Sequence, residues 1–289
     1  MNRAELISLR EALVRDGAIC LRRALDGNAL ALAQEAYDWS LKHPSPAANT
    51  YQGGEGRFYQ DLANPRALDA YKGVLLNTNV ASIVAELWDD PHVWFMYEQV
   101  FLKEGGANRR TPWHQDSSYL PVEGQRLAVM WISFDPVARE DSLEFVRGSH
   151  RGPMYDGSRF DPADDTAPLY GDGSLPRLPN IEAERARWDI VSWGVAPGDV
   201  LVFHPGMLHG GAATSAGKRR RTLSLRFFGT DASFALRPGM SERVAAARAK
   251  GLQSTDSEAN VFAKLPYSLS PGDPFRHPDF LLVPTKRLP

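Results

Sequence analysis

Residues 92–103 read HVWFMYEQVFLK and residues 222–228 read TLSLRFF. Both stretches are crowded with aromatic and β-branched or long apolar side chains, the composition of β-strands. In the second, polar and apolar residues alternate. Extending the alternation backward puts Arg220, Thr222 and Ser224 on one face and Arg221, Leu223 and Leu225 on the other. Between the two stretches lie LAVMWISF at 127–134, Leu143 to Val146 and Val200 to Phe203, all apolar enough for strands. Pro121, Gly148, Pro197-Gly198 and Pro205-Gly206 punctuate them with turn signals. Upstream the periodicity is helical. Leu6, Leu9, Leu13 and Val14 predict a first amphipathic helix over 4–15, broken by Asp16-Gly17. A short strand follows at Ala18 to Leu21. Asp26 is placed to cap a second helix carrying Leu30, Leu32, Ala36 and Trp39, and Val80 to Trp88 predicts a third, ending before Pro91. Helices first and then many short strands predict a mainly β fold, a jelly roll or double-stranded β-helix with helices packed outside it.

No internal repeat or linker divides the chain, so one domain spanning 1–289 is expected, with a helical part over about 1–90 and a jelly-roll core over about 91–235. Pro44, Pro46 and Gly53-Gly54-Glu55-Gly56 mark a loop. The Pro-, Gly- and Asp-rich stretch 152–180 predicts a long loop of the kind that forms lids or binding surfaces. Short helices are expected over 181–188 and 240–252, and an irregular end from 266 onward.

Apolar residues at 43% and charged residues at 24% match a globular protein and exclude disordered and fibrous classes. A net charge of −2 gives no sign of nucleic acid or an anionic membrane as partner. Cys20 is the sole cysteine, so no intramolecular disulfide forms, in keeping with a reducing compartment. The opening MNRAELISLREALVRDG lacks the apolar core of a secretory signal, and no apolar run approaches the roughly 20 residues of a membrane helix. A cytoplasmic location is expected; no feature sets an oligomeric state.

The sharpest chemical signal is Thr111-Pro112-Trp113-His114-Gln115-Asp116. On extended backbone His114 and Asp116 point to the same side and converge on one point. Two histidines and one carboxylate on one face of a metal leave the other positions open, which suits non-haem iron(II) oxygenases; a His-x-Asp tripeptide also arises by chance. The third ligand is sought in GDVLVFHPGMLHGG at 198–211, an apolar strand that ends in a turn and delivers His204 and His209. His204 continues the strand and suits a core or rim position, whereas His209 precedes Gly210-Gly211, where backbone approaches closely. Spacing favours His209 only slightly. In Lys218-Arg219-Arg220-Arg221 one reading is a solvated basic turn, the other an arginine that clamps a carboxylate in bidentate fashion.

Taken together these blocks resemble the phytanoyl-CoA dioxygenase family of iron(II)/2-oxoglutarate oxygenases, from about Asp16 to about Pro238. DGAICLRRALDGNAL resembles the family's opening strand and helix, and FLKEGGANRRTPWHQDSSYLPVEG its His-x-Asp block. DSLEFVRGSHRG and GDVLVFHPGMLHGGAATSAGKRRRTLSLRFFG are similar to its later two blocks, in the same order. The resemblance implies a double-stranded β-helix, His114, Asp116 and His209 as ligands of Fe(II), and Arg220, eleven residues after His209, as the residue that holds 2-oxoglutarate. It implies an oxidative reaction with O2 and 2-oxoglutarate as cosubstrates, releasing CO2 and succinate, with hydroxylation the common outcome. Related halogenases carry a small residue in place of the carboxylate, so Asp116 argues for hydroxylation. One departure is visible: relatives often read Lys-Glu-Pro-Gly where this chain has Lys103-Glu104-Gly105-Gly106.

Several residues keep two readings. Trp131 either lines the cosubstrate pocket or is ordinary core, and Gln99 either bonds a cosubstrate carboxylate or makes a structural hydrogen bond. Tyr97 and Tyr119 are either ligand contacts or packing residues. His150 reads as structural, and His43, His92 and His277 as incidental. A small-molecule substrate is expected, met by loops 50–60, 104–110 and 152–180; Arg57, Arg109 and Arg110 are either acid-recognition residues or surface charge. Two other classes share these residues: a non-catalytic metal-binding jelly-roll protein, and a cupin-type metal hydrolase or isomerase, since the same ligand set also suits zinc.

Overall fold

Leu223, Leu225 and Phe227 are fully buried, and they alternate along one strand with Arg220, Thr222, Ser224 and Arg226. In the computed structural model, which describes residues 3–51, 56–104, 110–214, 217–240 and 261–288 together with Glu242, Ala245 and Ala249, this strand is β12 (Arg220–Phe228). It lies between β4 (Val93–Glu104) and β7 (Leu127–Ser133). Beyond β7 the sheet continues through β10 (Val200–Phe203) to β1 (Ala18–Leu21). Beyond β4 it continues through β3 (Arg57–Leu62) to β2 (Asn49–Tyr51), and β14 (Leu281–Val283) pairs with the start of β4. Every ladder in this sheet is antiparallel. A smaller antiparallel sheet runs β5 (Thr111–His114), β11 (His209–Gly211), β8 (Leu143–Val146), β9 (Ile190–Ser192), and β6 (Val122–Glu123) pairs with β13 (Ser233–Phe234).

The sheets face each other across Trp131, Leu201 and Phe203 of the larger and Phe145 of the smaller, with the Phe145 and Phe203 rings 5.0 Å apart. This is a jelly roll, as expected. The outer face of the large sheet is covered by α1 (Arg3–Asp16), α2 (Gly27–Lys42), α3 (Leu68–Leu76) and α4 (Val80–Trp88). Ala33, Tyr37, Tyr71, Val74 and Val84 form one buried cluster with Val100, Leu102, Leu223 and Leu225. The Asp26 carboxylate caps α2 by accepting from the Ala29 amide at 2.8 Å. Gly17 ends α1 at φ +80°; a Cβ there would lie 2.2 Å from Met207 Sδ, so glycine lets the helix end close onto the segment leading to His209.

The structure departs from the sequence reading in its less regular parts. The supposed loop around residues 50–60 carries β2 and β3; β3 pairs with β4, distant in sequence, and β2 adds to the edge of β3. The Pro-rich end supplies β14 to the same sheet. Helix α3 was not expected, and 181–188 reduces to turns and a 3-10 turn at Arg185–Arg187. The helix expected over 240–252 lies almost wholly outside the described residues. No helix among the described residues is long and apolar enough to cross a membrane.

Phe227 is fully buried and meets Phe95 edge-on at 6.0 Å. Phe227→Ala is expected to lower the unfolding free energy by about 3–5 kcal/mol in urea titrations. A loss under about 1 kcal/mol would contradict this packing.

Candidate metal centre and its cavity

His114 closes β5 and His209 opens β11, and the two are cross-strand partners with ring centroids 4.2 Å apart. A Cβ on Gly210 would sit 3.1 Å from the Thr111 carbonyl, so glycine allows the approach that sets this register. Asp116 lies beyond the end of β5, but Gln115 between them is extended (φ −116°, ψ 127°), and Asp116 therefore returns to the His114 side. The Gln115 side chain points elsewhere. Its amide donates to the carbonyls of Gly206 at 2.8 Å and Pro153 at 3.2 Å, and its oxygen accepts from the Tyr155 amide at 2.8 Å. One side chain thus ties the ligand turn both to the approach to His209 and to the long loop.

The histidine tautomers follow from their partners. Nδ1 of His114 is 2.8 Å from the Pro112 carbonyl, and Nδ1 of His209 is 3.0 Å from that of Met207. A carbonyl only accepts, so each Nδ1 carries the proton and each Nε2 keeps a free lone pair. Both Nε2 atoms turn to Asp116 Oδ1, at 3.4 and 3.9 Å. One ligand atom from each of the three residues lies within 4.8 Å of the others, a spacing that fits a single metal ion. Burial, with His114 alongside, pushes His209 down to about 4, which leaves it neutral near pH 7. Burial opposes charge on Asp116, but the Arg226 guanidinium beside it outweighs this and holds the carboxyl well below the usual carboxylate range.

Arg226 was not singled out in the sequence. Its Nη2 donates to Asp116 Oδ2 at 2.7 Å and to Gln99 Oε1 at 2.6 Å, and its guanidinium lies 4.6 Å from the Tyr97 ring centre. The alternation that begins at Arg220 reaches Arg226 after six residues, so its face was readable. Register then lays out the wall between the two arginines. Arg226 stands level with Tyr97, Ser224 with Gln99 and Trp131, Thr222 with Phe101, and Arg220 with Lys103.

Arg220 is 7% exposed and is braced by the carbonyls of Asp141 and, at 3.3 Å, Ala212; burial pushes it down to about 10, still a cation at neutral pH. Lys103, also unanticipated, is buried with its ammonium 4.0 Å from the Phe58 ring centre. Burial, with Arg220 and Arg110 nearby, pushes Lys103 well below the usual lysine range. Both arginines, both histidines, Asp116, Lys103, Trp131 and Gln99 line one cavity of about 540 Å³. Gln99 makes the structural bonds, to Arg226 through its oxygen and to Gln60 through its nitrogen at 3.3 Å.

At the mouth, the long loop supplies Phe160, whose ring packs against His114 at 5.3 Å and stacks on Tyr119 at 6.1 Å. Phe160 holds φ +56°, a conformation that costs a non-glycine residue energy and that clusters at functional sites. Arg110 is neutralised by Glu144 and Glu182, each at 3.0 Å, and Arg57 faces Glu104 at 3.7 Å; Arg109 lies outside the described residues. His204 turns away from the centre, its Nε2 donating to the Gly124 carbonyl and its Nδ1 accepting from the Gly206 amide. His150 reaches the Val14 carbonyl, and the His43, His92 and His277 side chains bond or stack with residues close to them in sequence.

Loss of a partner that only orients a ligand typically costs 10–100-fold in metal affinity. His209→Ala is therefore expected to weaken Co(II) binding by more than about 100-fold, and His204→Ala to change it by less than about threefold. Equal effects in a spectroscopic titration would contradict the assignment.

The sequence profile of the family described as phytanoyl-CoA dioxygenase (PhyH) matches residues 13–222. The "Probable phytanoyl-CoA dioxygenase" of Caenorhabditis elegans is 26% identical over 207 residues, covering 66% of this chain and 61% of that one. The peroxisomal phytanoyl-CoA dioxygenase of Homo sapiens is 23% identical over 156 residues, covering 52% of this chain and 43% of that one. The matched segment thus spans less than two thirds of either relative. Among solved structures, the epimerase SnoN in complex with Fe3+, alpha ketoglutarate and nogalamycin RO superposes with a TM-score of 0.67 at 19% identity, covering 96% of this chain and 98% of that one.

Proposed function

The chain belongs to the phytanoyl-CoA dioxygenase family, and from that premise we propose that it is an Fe(II)/2-oxoglutarate-dependent dioxygenase that oxidises a small molecule, most simply by hydroxylation. The observation that carries the reading is a two-histidine, one-carboxylate cluster sharing one cavity with a buried arginine. His114, Asp116 and His209 hold Fe(II) through their free Nε2 atoms and Asp116 Oδ1. Arg220, kept dry and cationic, holds the far carboxylate of 2-oxoglutarate, and Trp131 forms part of the wall along which that cosubstrate lies. Bound iron, with O2 and 2-oxoglutarate, supplies the oxidising equivalents, and the cosubstrate leaves as succinate and CO2.

The protein's own contribution is placement. Two strands fix the histidines, Gln115 fixes the turn that carries Asp116, and Phe160 with Tyr119 shields the open side. Asp116 occupies the position that a halogenase would leave to chloride, which favours hydroxylation. The SnoN neighbour is an epimerase, so other oxidative outcomes are compatible with this fold. We take residues 1–289 as a single oxygenase domain with a helical part over about 1–90 and a core over about 91–235. The reading places it in the cytoplasm, with neither nucleic acid nor membrane as partner.

Purified protein given Fe(II), ascorbate and 2-oxoglutarate is expected to form succinate, and Arg220→Ala to lower the rate at limiting 2-oxoglutarate by more than about tenfold, as loss of a charge-assisted contact requires. Dependence on 2-oxoglutarate separates this reading from a zinc hydrolase. Metal binding without any binding or turnover of 2-oxoglutarate would contradict it.

A further inference from the structure

Tyr97 lines the cavity and is only 5% exposed, yet its hydroxyl makes no hydrogen bond among the described residues. Its ring is held from two sides. The Arg226 guanidinium lies 4.6 Å from the ring centre, and Phe262 meets the ring edge-on at 5.0 Å. A buried tyrosine usually finds a partner for its O–H. The polar side chains nearest to it along the wall are already engaged. Gln99 bonds to Arg226 and to Gln60, and the Tyr119 hydroxyl donates to the Ser158 carbonyl at 2.8 Å. Tyr97 therefore keeps a fixed donor that the protein itself does not use.

Register sets this donor apart from the cosubstrate. Arg220 and Lys103 stand at one end of the wall, and Tyr97 with Arg226 at the other, beside Asp116. 2-Oxoglutarate anchored at Arg220 fills the first end and leaves the Tyr97 end to the molecule that is oxidised. That end is apolar. Leu62 stands level with Gln99, and Phe160 stacks on Tyr119 with 19° between the ring planes. Its cations are paired, Arg226 with Asp116 at 2.7 Å and Arg110 with Glu144 and Glu182. Among the described residues, an ionic group placed here would find no side chain of opposite charge left to pair with, and such burial is costly. A flat ring packs well against aromatic walls, and a cavity of about 540 Å³ has room for one beside the small cosubstrate.

We propose that the molecule oxidised is an uncharged, mainly apolar ring compound, positioned by a hydrogen bond from the Tyr97 hydroxyl to one of its carbonyl oxygens. The proposal rests on the reading that the Arg220 end takes 2-oxoglutarate. Tyr97 then determines specificity: its ring cannot move away from Arg226 and Phe262, so the oxygen it holds decides which part of the compound faces the ligand cluster.

Three naphthalenes of similar shape test this: 2-acetylnaphthalene carries a carbonyl, 2-ethylnaphthalene lacks it, and 2-naphthoate carries a charge. Dissociation constants are measured under anaerobic conditions from quenching of naphthalene fluorescence, on protein saturated with Co(II) and 2-oxoglutarate. Wild type is expected to bind 2-acetylnaphthalene about 3- to 10-fold more tightly than 2-ethylnaphthalene, as one neutral hydrogen bond requires. It should bind 2-naphthoate at least about 10-fold more weakly than 2-acetylnaphthalene. Tyr97→Phe keeps the ring and should abolish the preference for the ketone without weakening 2-ethylnaphthalene. Tyr119→Phe, whose hydroxyl is already engaged, should leave the preference within about twofold. Protein that binds 2-oxoglutarate but none of the naphthalenes, that prefers the naphthoate, or whose preference survives in Tyr97→Phe would overturn the proposal. Wild-type protein that binds Co(II) but not 2-oxoglutarate would instead overturn the cosubstrate reading on which it rests.

Discussion

A carboxylate buried between two β-sheets has to be neutralised, and the geometry of the site follows from how this chain does it. Asp116 gives Oδ2 to Arg226 and turns Oδ1 toward His114 and His209. Without the arginine, burial would push Asp116 toward its neutral form and remove the charge a metal needs. Without the histidines, Oδ1 would lack a shared focus. Breaking such a buried pair from one side is costly because it strands the other charge.

The jelly roll serves this arrangement by fixing three registers. The His209 and His114 pairing sets the distance between the imidazoles, and Gly210 permits it. The β12 pairing with β4 and β7 lines up Arg220, Thr222, Ser224 and Arg226 on the cavity face while Leu223, Leu225 and Phe227 pack under the helices. Gln115 then couples the ligand turn to the long loop that delivers Phe160. The helical layer acts at one remove: it buries the outer face of the sheet and so keeps the inner face in register.

Much of this could be read from the residues. The strands at 143–146 and 200–203 have the bounds expected of them, because short apolar runs between turn residues have few other ways to fold. His114, Asp116, His209 and Arg220 are brought into one cavity, and His204 points away as its place on the strand allowed. What escaped depends on distant partners. Arg226 reads locally as a stray charge, and its meaning lies in a residue 110 positions away. Strand β3 pairs with β4, and β2 with β3, so a glycine-rich neighbourhood gave no sign of them. The backbone conformation of Phe160 has no signature in a phenylalanine.

The central claim is that this cavity brings a metal and 2-oxoglutarate together, and their direct contact has an optical signature. Anaerobic protein loaded with Fe(II) should develop a visible charge-transfer band as 2-oxoglutarate is titrated in, saturating at one equivalent per chain. A protein that binds Fe(II) yet shows no band at any concentration of 2-oxoglutarate would contradict the account.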